Sequence, residues 1–251
     1  VESSWSPIIE KDAAGNVVAT QLTNQNGEYA FEALLPGVYT IVEETPAGLI
    51  DGADHIGTIG GVKIGTKLAN DTISSITLNG GQAGVSYDFC EHLPSSLAGF
   101  VYHDANNNGL RESGEAPIAG TTVILLDASG TQVATTTTDT SGFYKFASLS
   151  AGTYRVREVQ PSDWLDGKDT AGTILGQVVG TAQNPGDQLS GVTLLWGDDG
   201  VEYNFGELLP GSIRGKVTDP DGLALPGVTI TASSPALQGV RTVVSNENGD
   251  Y

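Results

Sequence analysis

Positive charge is what this chain has least of. Eleven Lys and Arg residues face thirty Asp and Glu, which leaves a formal charge of −19 over 251 residues. That balance excludes nucleic acid, whose binders need Lys and Arg to release counterions from phosphate, and it argues against anionic membrane surfaces. There is one cysteine, Cys90, so no intrachain disulfide can form and the fold must hold through its cores, with metal as a candidate further brace. No apolar run is long enough to cross a bilayer, and the opening residues do not read as a secretory signal. Methionine is absent, aromatics are 7%, and no stretch of twelve residues carries a helical 3.6 repeat.

What is present points to strands. Thr, Val and Ile occur in short runs separated by turns rich in the 34 glycines, the composition of an antiparallel β-protein. An acidic chain with oxygen-rich loops attracts hard cations, calcium above all.

The sequence also repeats itself. Gly84-Val-Ser-Tyr-Asp-Phe-Cys-Glu-His-Leu-Pro94 returns as Gly200-Val-Glu-Tyr-Asn-Phe-Gly-Glu-Leu-Leu-Pro210, shifted by 116. Asn26-Gly-Glu-Tyr-Ala-Phe31 returns as Ser141-Gly-Phe-Tyr-Lys-Phe146, shifted by 115, so one residue is inserted between them. A third copy follows Pro210, with Asn246-Glu-Asn-Gly-Asp-Tyr251 matching Asn24-Gln-Asn-Gly-Glu-Tyr29. The expected domains are 1–93, which lacks a first strand because Val1 aligns near Ala116; 94–209, which is complete; and 210–251, the opening of a third.

The complete copy reads as seven strands, near 97–102, 122–126, 133–138, 143–146, 153–158, 192–196 and 201–205. Tyr154 and Val156 alternate with Arg155 and Arg157, the period-two signature of a half-buried strand. The expectation is all-β: Greek-key, immunoglobulin-like sandwiches placed end to end through short proline-bearing joints, making a stiff rod.

One motif carries chemistry. In Asp104-Ala-Asn-Asn-Asn108-Gly-Leu110-Arg-Glu112-Ser-Gly-Glu115, side-chain oxygens fall at positions 1, 3, 5, 9 and 12, with Gly109 at the sharp turn of position 6. Calcium takes six to eight hard oxygens, and a twelve-residue loop of this spacing wraps them round one point. The expected ligands are Asp104, Asn106, Asn108, the Leu110 carbonyl, Glu112 and a bidentate Glu115. The bland alternative is an Asn/Gly turn, which would not need three spaced acids. If the strands alternate in direction, this loop lies beside the exit to the third domain and metal there would brace that joint. The counterpart Asp219-Pro-Asp221-Gly222 is too short for a full site.

Weaker candidates are Asp51, Asp54, Asp166, Asp169, Asp198 and Asp199 as secondary ligands, and Thr135–Thr138 and the sequon Asn70-Asp71-Thr72 as glycan sites. His55, His92 and His103 lack zinc spacing. Cys90 reads as an ordinary thiol, and no nucleophile–base motif marks an enzyme. Glu43 and Glu158 face inward by strand parity, which is unusual for acids.

Together, Phe100-Val-Tyr-His-Asp104, the Asn/Gly/Glu loop, the Gly-x-Tyr-x-Val-x-Glu strand and the Tyr-Asn-Phe-Gly-Glu ending resemble the calcium-binding B-type repeats of serine-aspartate-repeat adhesins, of the collagen-adhesin B-type class. The segment from Gly211 resembles a carboxypeptidase-regulatory-like sandwich. The resemblance implies a secreted bacterial surface location, a spacer or stalk, and calcium-dependent rigidity. It also implies an internal Lys–Asn or Lys–Asp isopeptide bond in many relatives, with Glu43 and Glu158 at the position of the assisting acid. The strand at 97–102 has no lysine, so none is expected in 94–209; Lys216 is on the corresponding strand of the third domain.

The leading expectation is a structural stalk, matrix or filament component whose partners are neighbouring domains or like subunits. The alternative is an adhesin or carbohydrate-binding module, with a glycan or cell-surface ligand at its loops. A non-catalytic appendage to an enzyme or outer-membrane receptor is a third reading, suggested by the last domain. The open edges of the first and third domains also invite strand exchange between chains.

Overall fold

The computed structural model describes residues 6–69, 71–234 and 239–251. Among them every regular element is a strand, as the Thr/Val/Gly composition dictates. The chain divides into two compact units, Val1–Leu208 and Leu209–Tyr251. The first contains two separate cores, one built on Ile8, Ile41, Ile73 and Ile76, the other on Leu97, Val101, Val123, Leu125 and Phe205.

The second core lies between two sheets. One runs in the order Gln132–Thr137, Thr122–Asp127, Gly152–Glu158, Gln188–Leu194, Thr181–Gln183. The other is centred on Ser95–His103, which pairs antiparallel with Phe143–Leu149 on one edge. On its opposite edge it runs parallel to Asp199–Val201 and then to Phe205–Leu208. First and last strands therefore end at the same pole. Alternation fixes what is buried: Tyr154, Val156 and Glu158 face inward, while Arg155 and Arg157 do not.

Several strands differ from the sequence reading, which also lacked Leu165–Asp166 and Thr181–Gln183. The last one is not continuous over 201–205 but splits around Glu202, whose φ of 58° turns the chain. Asn204 covers the gap, its Oδ1 accepting the Phe100 N–H at 2.9 Å in place of a ladder bond. The strand expected at 192–196 runs Gln188–Leu194 instead, because Asp198 accepts the Leu195 N–H at 2.7 Å and closes a turn there. A hairpin of Thr173–Ile174 and Gln177–Val178 was not anticipated; its turn has Leu175 and Gly176 both at positive φ, the twist-matched type that Gly favours.

The first core repeats this plan one sheet at a time. Pro7–Lys11 and Gly37–Glu43 correspond to Thr122–Asp127 and Gly152–Glu158, and the sheet order is the same. No described strand corresponds to Ser95–His103. The segment near Tyr29–Leu34 forms no ladder with the described residues, although its counterpart Phe143–Leu149 does.

The joint between the two cores is short. Glu91–His92 still pairs with Ile50–Asp51 of the first, and Ser95 already begins the strand of the second. His92 stacks on Trp196 with centroids 4.1 Å apart and planes 6° apart. The Ser95 hydroxyl donates to the Leu195 carbonyl at 2.6 Å.

In the second unit Thr229–Ala232 pairs with Arg241–Val244. The segment 215–218 is held to Gly249–Tyr251 and to Ala224 by single bridges and backbone bonds.

Candidate metal centres

The loop at 104–115 leaves the strand Ser95–His103 at the pole where the first unit ends. Asp104 is fully buried; its carboxylate accepts the N–H of Asn108 at 3.1 Å and of Gly109 at 2.6 Å. Asn106 and Asn108 accept amides two residues on, and the Asn106 amide donates to Glu112 at 2.8 Å. Glu115 accepts from Ala105 at 3.2 Å and from Glu112 at 2.9 Å, closing the ring. Gly109 has φ +80°, which favours glycine, and a Cβ there would make a tight 3.2 Å contact with the Thr170 hydroxyl. Thr170 donates to the Gly109 carbonyl, and Arg111 lies 3.7 Å above the Phe100 ring, which pins the loop to the sandwich. Leu110 stands exposed at its edge.

Each amide bond uses one lone pair of a carboxylate oxygen and leaves others for a cation. The residues thus suit a calcium shell. Still, the carboxylates of Asp104, Glu112 and Glu115 do not converge within 4.8 Å, whereas three other sets do among the described residues.

Those sets are Glu158 with Asp187 and Glu207, Glu43 with Asp71 and Glu91, and Asp51 with Asp54 and Asp71. The first two are the same site in the two repeats, since Glu43, Asp71 and Glu91 are the counterparts of Glu158, Asp187 and Glu207. Asp51 and Asp54 likewise correspond to Asp166 and Asp169. Glu158 is 2% exposed and Glu207 0%. Both oxygens of Glu158, both of Asp169 and both of Glu91 have no hydrogen-bond partner, nor do Oε1 of Glu207 and Oδ1 of Asp187 and Asp71.

An isolated buried carboxylate costs many kcal/mol unless it is neutralised. Among the described residues the one ion pair to these groups is Lys67 with Asp54, at 3.6 Å. Burial first, and then the neighbouring acids, push Glu158 up to about 11, Asp169 to about 9, Glu91 to about 8 and Glu207 to about 7. Paired acids behave this way when no cation sits among them. Oxygen-only and multiply anionic, with several buried oxygens unbonded, the clusters suit a hard divalent cation.

A model of the SdrD B-like domain matches the chain twice, over residues 8–90 and 95–193. The chain belongs to this family. It is 30% identical over 254 residues to serine-aspartate repeat-containing protein D of Staphylococcus aureus (strain Newman), covering 96% of this chain and 18% of that protein. It is 28% identical over 247 residues to protein F of Staphylococcus epidermidis, covering 96% of this chain and 14% of the relative. The chain thus spans less than a fifth of these relatives. Among solved structures, the shaft pilin SpaA from Lactobacillus rhamnosus GG aligns over 83% of this chain and 89% of its own, with 10% identity and a TM-score of 0.36. The SdrD B-like repeat is one of extracellular bacterial surface proteins, and the family is not an enzymatic one.

Within the SdrD B-like repeats, several sequence expectations fall into place differently. Asp51 and Asp54 belong to a converging carboxylate set, and Asp166 and Asp169 are their counterparts, with the charges of Asp166 and Asp187 acting on Asp169, whereas Asp198 and Asp199 take no part. Asp198 caps a turn, and Asp199 accepts the Ser96 hydroxyl. Glu43 and Glu158 face other acids rather than a lysine. Asp71, Asp187, Glu91 and Glu207 were not singled out, although their recurrence at a shift of 116 was a usable signal. Asp219 closes an exposed turn by accepting the amides of Asp221 and Leu223. The Thr138 hydroxyl is buried and bonded to the Ile118 carbonyl, which removes it as a glycan acceptor. Asn70 lies outside the described residues. Burial, followed by surrounding acids, raises the Cys90 thiol, in keeping with an unreactive side chain.

Proposed function

We propose that this chain is a spacer region of a bacterial surface protein whose sandwiches are stiffened by calcium. The observation that carries the reading is the pair of buried carboxylate clusters with partnerless oxygens, placed identically in two repeats. In each repeat the cluster ties the strand bearing Glu43 or Glu158 to the final strand bearing Glu91 or Glu207. A cation there would cross-link the two sheets where a disulfide would do so in a cysteine-rich domain. In the second repeat Asp104, Asn106, Asn108, the Leu110 carbonyl, Glu112 and Glu115 would hold a further calcium. The role is mechanical: to hold whatever the rest of the protein displays at a fixed distance from the cell.

Two further contacts support a stiff spacer over a carbohydrate-binding module. Trp196 is spent on His92 at the joint, and Trp164 packs 5.3 Å from His103. Each of these two indoles already has an aromatic partner within its repeat pair.

Calorimetric titration of the metal-free full chain with calcium tests the reading. More than one calcium should bind per chain, with one site lost in Glu115→Ala and another in Glu158→Gln. Absence of calcium binding would remove the stiffening role and leave only a rod held by its cores.

A further inference from the structure

Five carboxylates recur in each SdrD B-like repeat, yet the two groups are not neutralised alike. The first repeat has Glu43, Asp51, Asp54, Asp71 and Glu91; the second has Glu158, Asp166, Asp169, Asp187 and Glu207. Asp71 belongs to both converging sets of the first repeat, so its acids form one continuous group. At one side of that group the Lys67 ammonium lies 3.6 Å from Asp54, whose side chain is 1% exposed. Burial raises the Asp51 carboxyl, Asp71 and Asp54 add to the rise, and the Lys67 charge opposes them. Among the described residues no other Lys or Arg forms an ion pair with any of these acids.

Strand register shows what stands in the lysine's place in the second repeat. Lys67 pairs with Ile73, and Ile73 with Ile41. In the second repeat Ala182 pairs with Leu189, and Leu189 with Val156. Ile41 and Val156 are counterparts in the Gly-x-Tyr-x-apolar strands, so Lys67 and Ala182 are counterparts too. Ala182 packs against the second core and carries no charge. Lys168, next to Asp169 in sequence, is exposed and forms no ion pair among the described residues.

The second repeat has an unused carboxylate held in place instead. The Asn184 side chain clasps the Asp169 backbone, accepting its N–H at 2.7 Å and donating to its carbonyl at 3.0 Å. The Gly186 N–H donates to Asp166 at 2.8 Å. Both contacts come from a connection, 183–186, that is one residue longer than its counterpart 68–70. Asp169 is 5% exposed, and neither of its oxygens has a hydrogen-bond partner. Oδ1 of Asp166 and Oδ1 of Asp187 lack one as well. A buried carboxylate needs a cation or a proton to offset the loss of water. In the first repeat a side chain supplies that cation, and among the described residues of the second none does.

We propose that Lys67 is a built-in cation of the first repeat, standing at Asp54 where the second repeat takes a calcium ion at Asp166, Asp169 and Asp187. This rests on the calcium reading of the repeats and deepens it, because the two repeats then differ by one ion. Glu43, Asp71 and Glu91 still take calcium in the first repeat, as Glu158, Asp187 and Glu207 do in the second. The Asp54 side alone is closed, since an ammonium there repels a divalent ion and occupies one carboxylate oxygen. A tethered ammonium neutralises Asp54 at any calcium concentration, whereas Asp169 is neutralised by metal only when calcium is present.

Equilibrium dialysis of the full chain against a calcium series, counting bound ions at saturation, tests it. Lys67→Ala gives the first repeat the residue of the second and should raise the count by one ion per chain. Lys67→Arg keeps the charge and should bind as the parent does. The Lys67 side chain is 41% exposed, so both variants should fold. Asp169→Asn, which keeps the shape of the side chain, should lower the parent's count by one. An unchanged count in Lys67→Ala, an equal gain in Lys67→Arg, or an unchanged count in Asp169→Asn would each overturn the proposal and leave the calcium reading standing. A parent chain that binds no calcium would overturn both.

Discussion

The peptide N–H of Asp104 donates to the carbonyl of Glu207 at 2.9 Å, and the Glu207 side chain is one corner of the buried carboxylate cluster. The first residue of the calcium-type loop and the last strand of the sandwich are therefore joined through a single residue. Gly206 adds to this closeness, since a Cβ there would approach that of Asp104 to 3.2 Å.

This shared residue predicts coupling between the two metal centres. Glu115→Ala and Glu207→Gln should each lower thermal stability in calcium. Their combined loss should depart from the sum by about 0.5–3 kcal/mol, the range for residues in one network. A double-mutant cycle by thermal unfolding of the full chain measures it; strict additivity would mean that the two centres act separately.

The pH dependence should invert with metal. Without calcium, Glu158, Asp169, Glu91 and Glu207 have folded-state values raised to about 11, 9, 8 and 7. A raised carboxyl favours the folded state while it is protonated, so that stabilisation is full below the unfolded value near 4 and is lost as pH rises through the folded values. In chelator the chain should melt at lower temperature at pH 8 than at pH 5. Calcium needs the deprotonated groups, so its stabilising increment should grow over the same interval.

Gly99 should be irreplaceable. With the added Cβ only 1.8 Å from the Tyr203 carbonyl oxygen, Gly99→Ala must push two paired strands apart and should cost more than about 3 kcal/mol. Gly211→Ala, with nothing within 4 Å of the added carbon, should stay within about 0.5 kcal/mol. Denaturant unfolding of both variants gives the comparison.

The joint between the repeats should soften without its stack. His92→Ala removes a ring 4.1 Å from Trp196, a contact worth about 0.5–1.5 kcal/mol. Small-angle scattering of the full chain should show a broader distance distribution, while each repeat keeps its own melting transition.

Strand placement was legible in the sequence where period-two alternation met a turn, as at Tyr154–Glu158 between Gly152 and Gln160. It failed where a local side chain overrides the ladder. Asn204 replaces a backbone bond, and Asp198 closes a turn inside what reads as a Val/Leu/Trp run. The twelve-residue loop was legible because its oxygens are consecutive in sequence. The carboxylate clusters were only half legible. Strand parity turned Glu43 and Glu158 inward, yet Asp187 and Glu207 come from a loop and another strand, and only folding brings them to Glu158.

Thermal unfolding of the full chain at pH 7.5, in calcium and then in excess chelator, tests the calcium-stiffened spacer most directly. At a hundred times its dissociation constant each site adds about 2.7 kcal/mol, which is several degrees for a domain of this size. The account predicts a clear fall in melting temperature on chelation, reduced in Glu158→Gln and reduced in Glu115→Ala. Melting curves that coincide with and without calcium would contradict it.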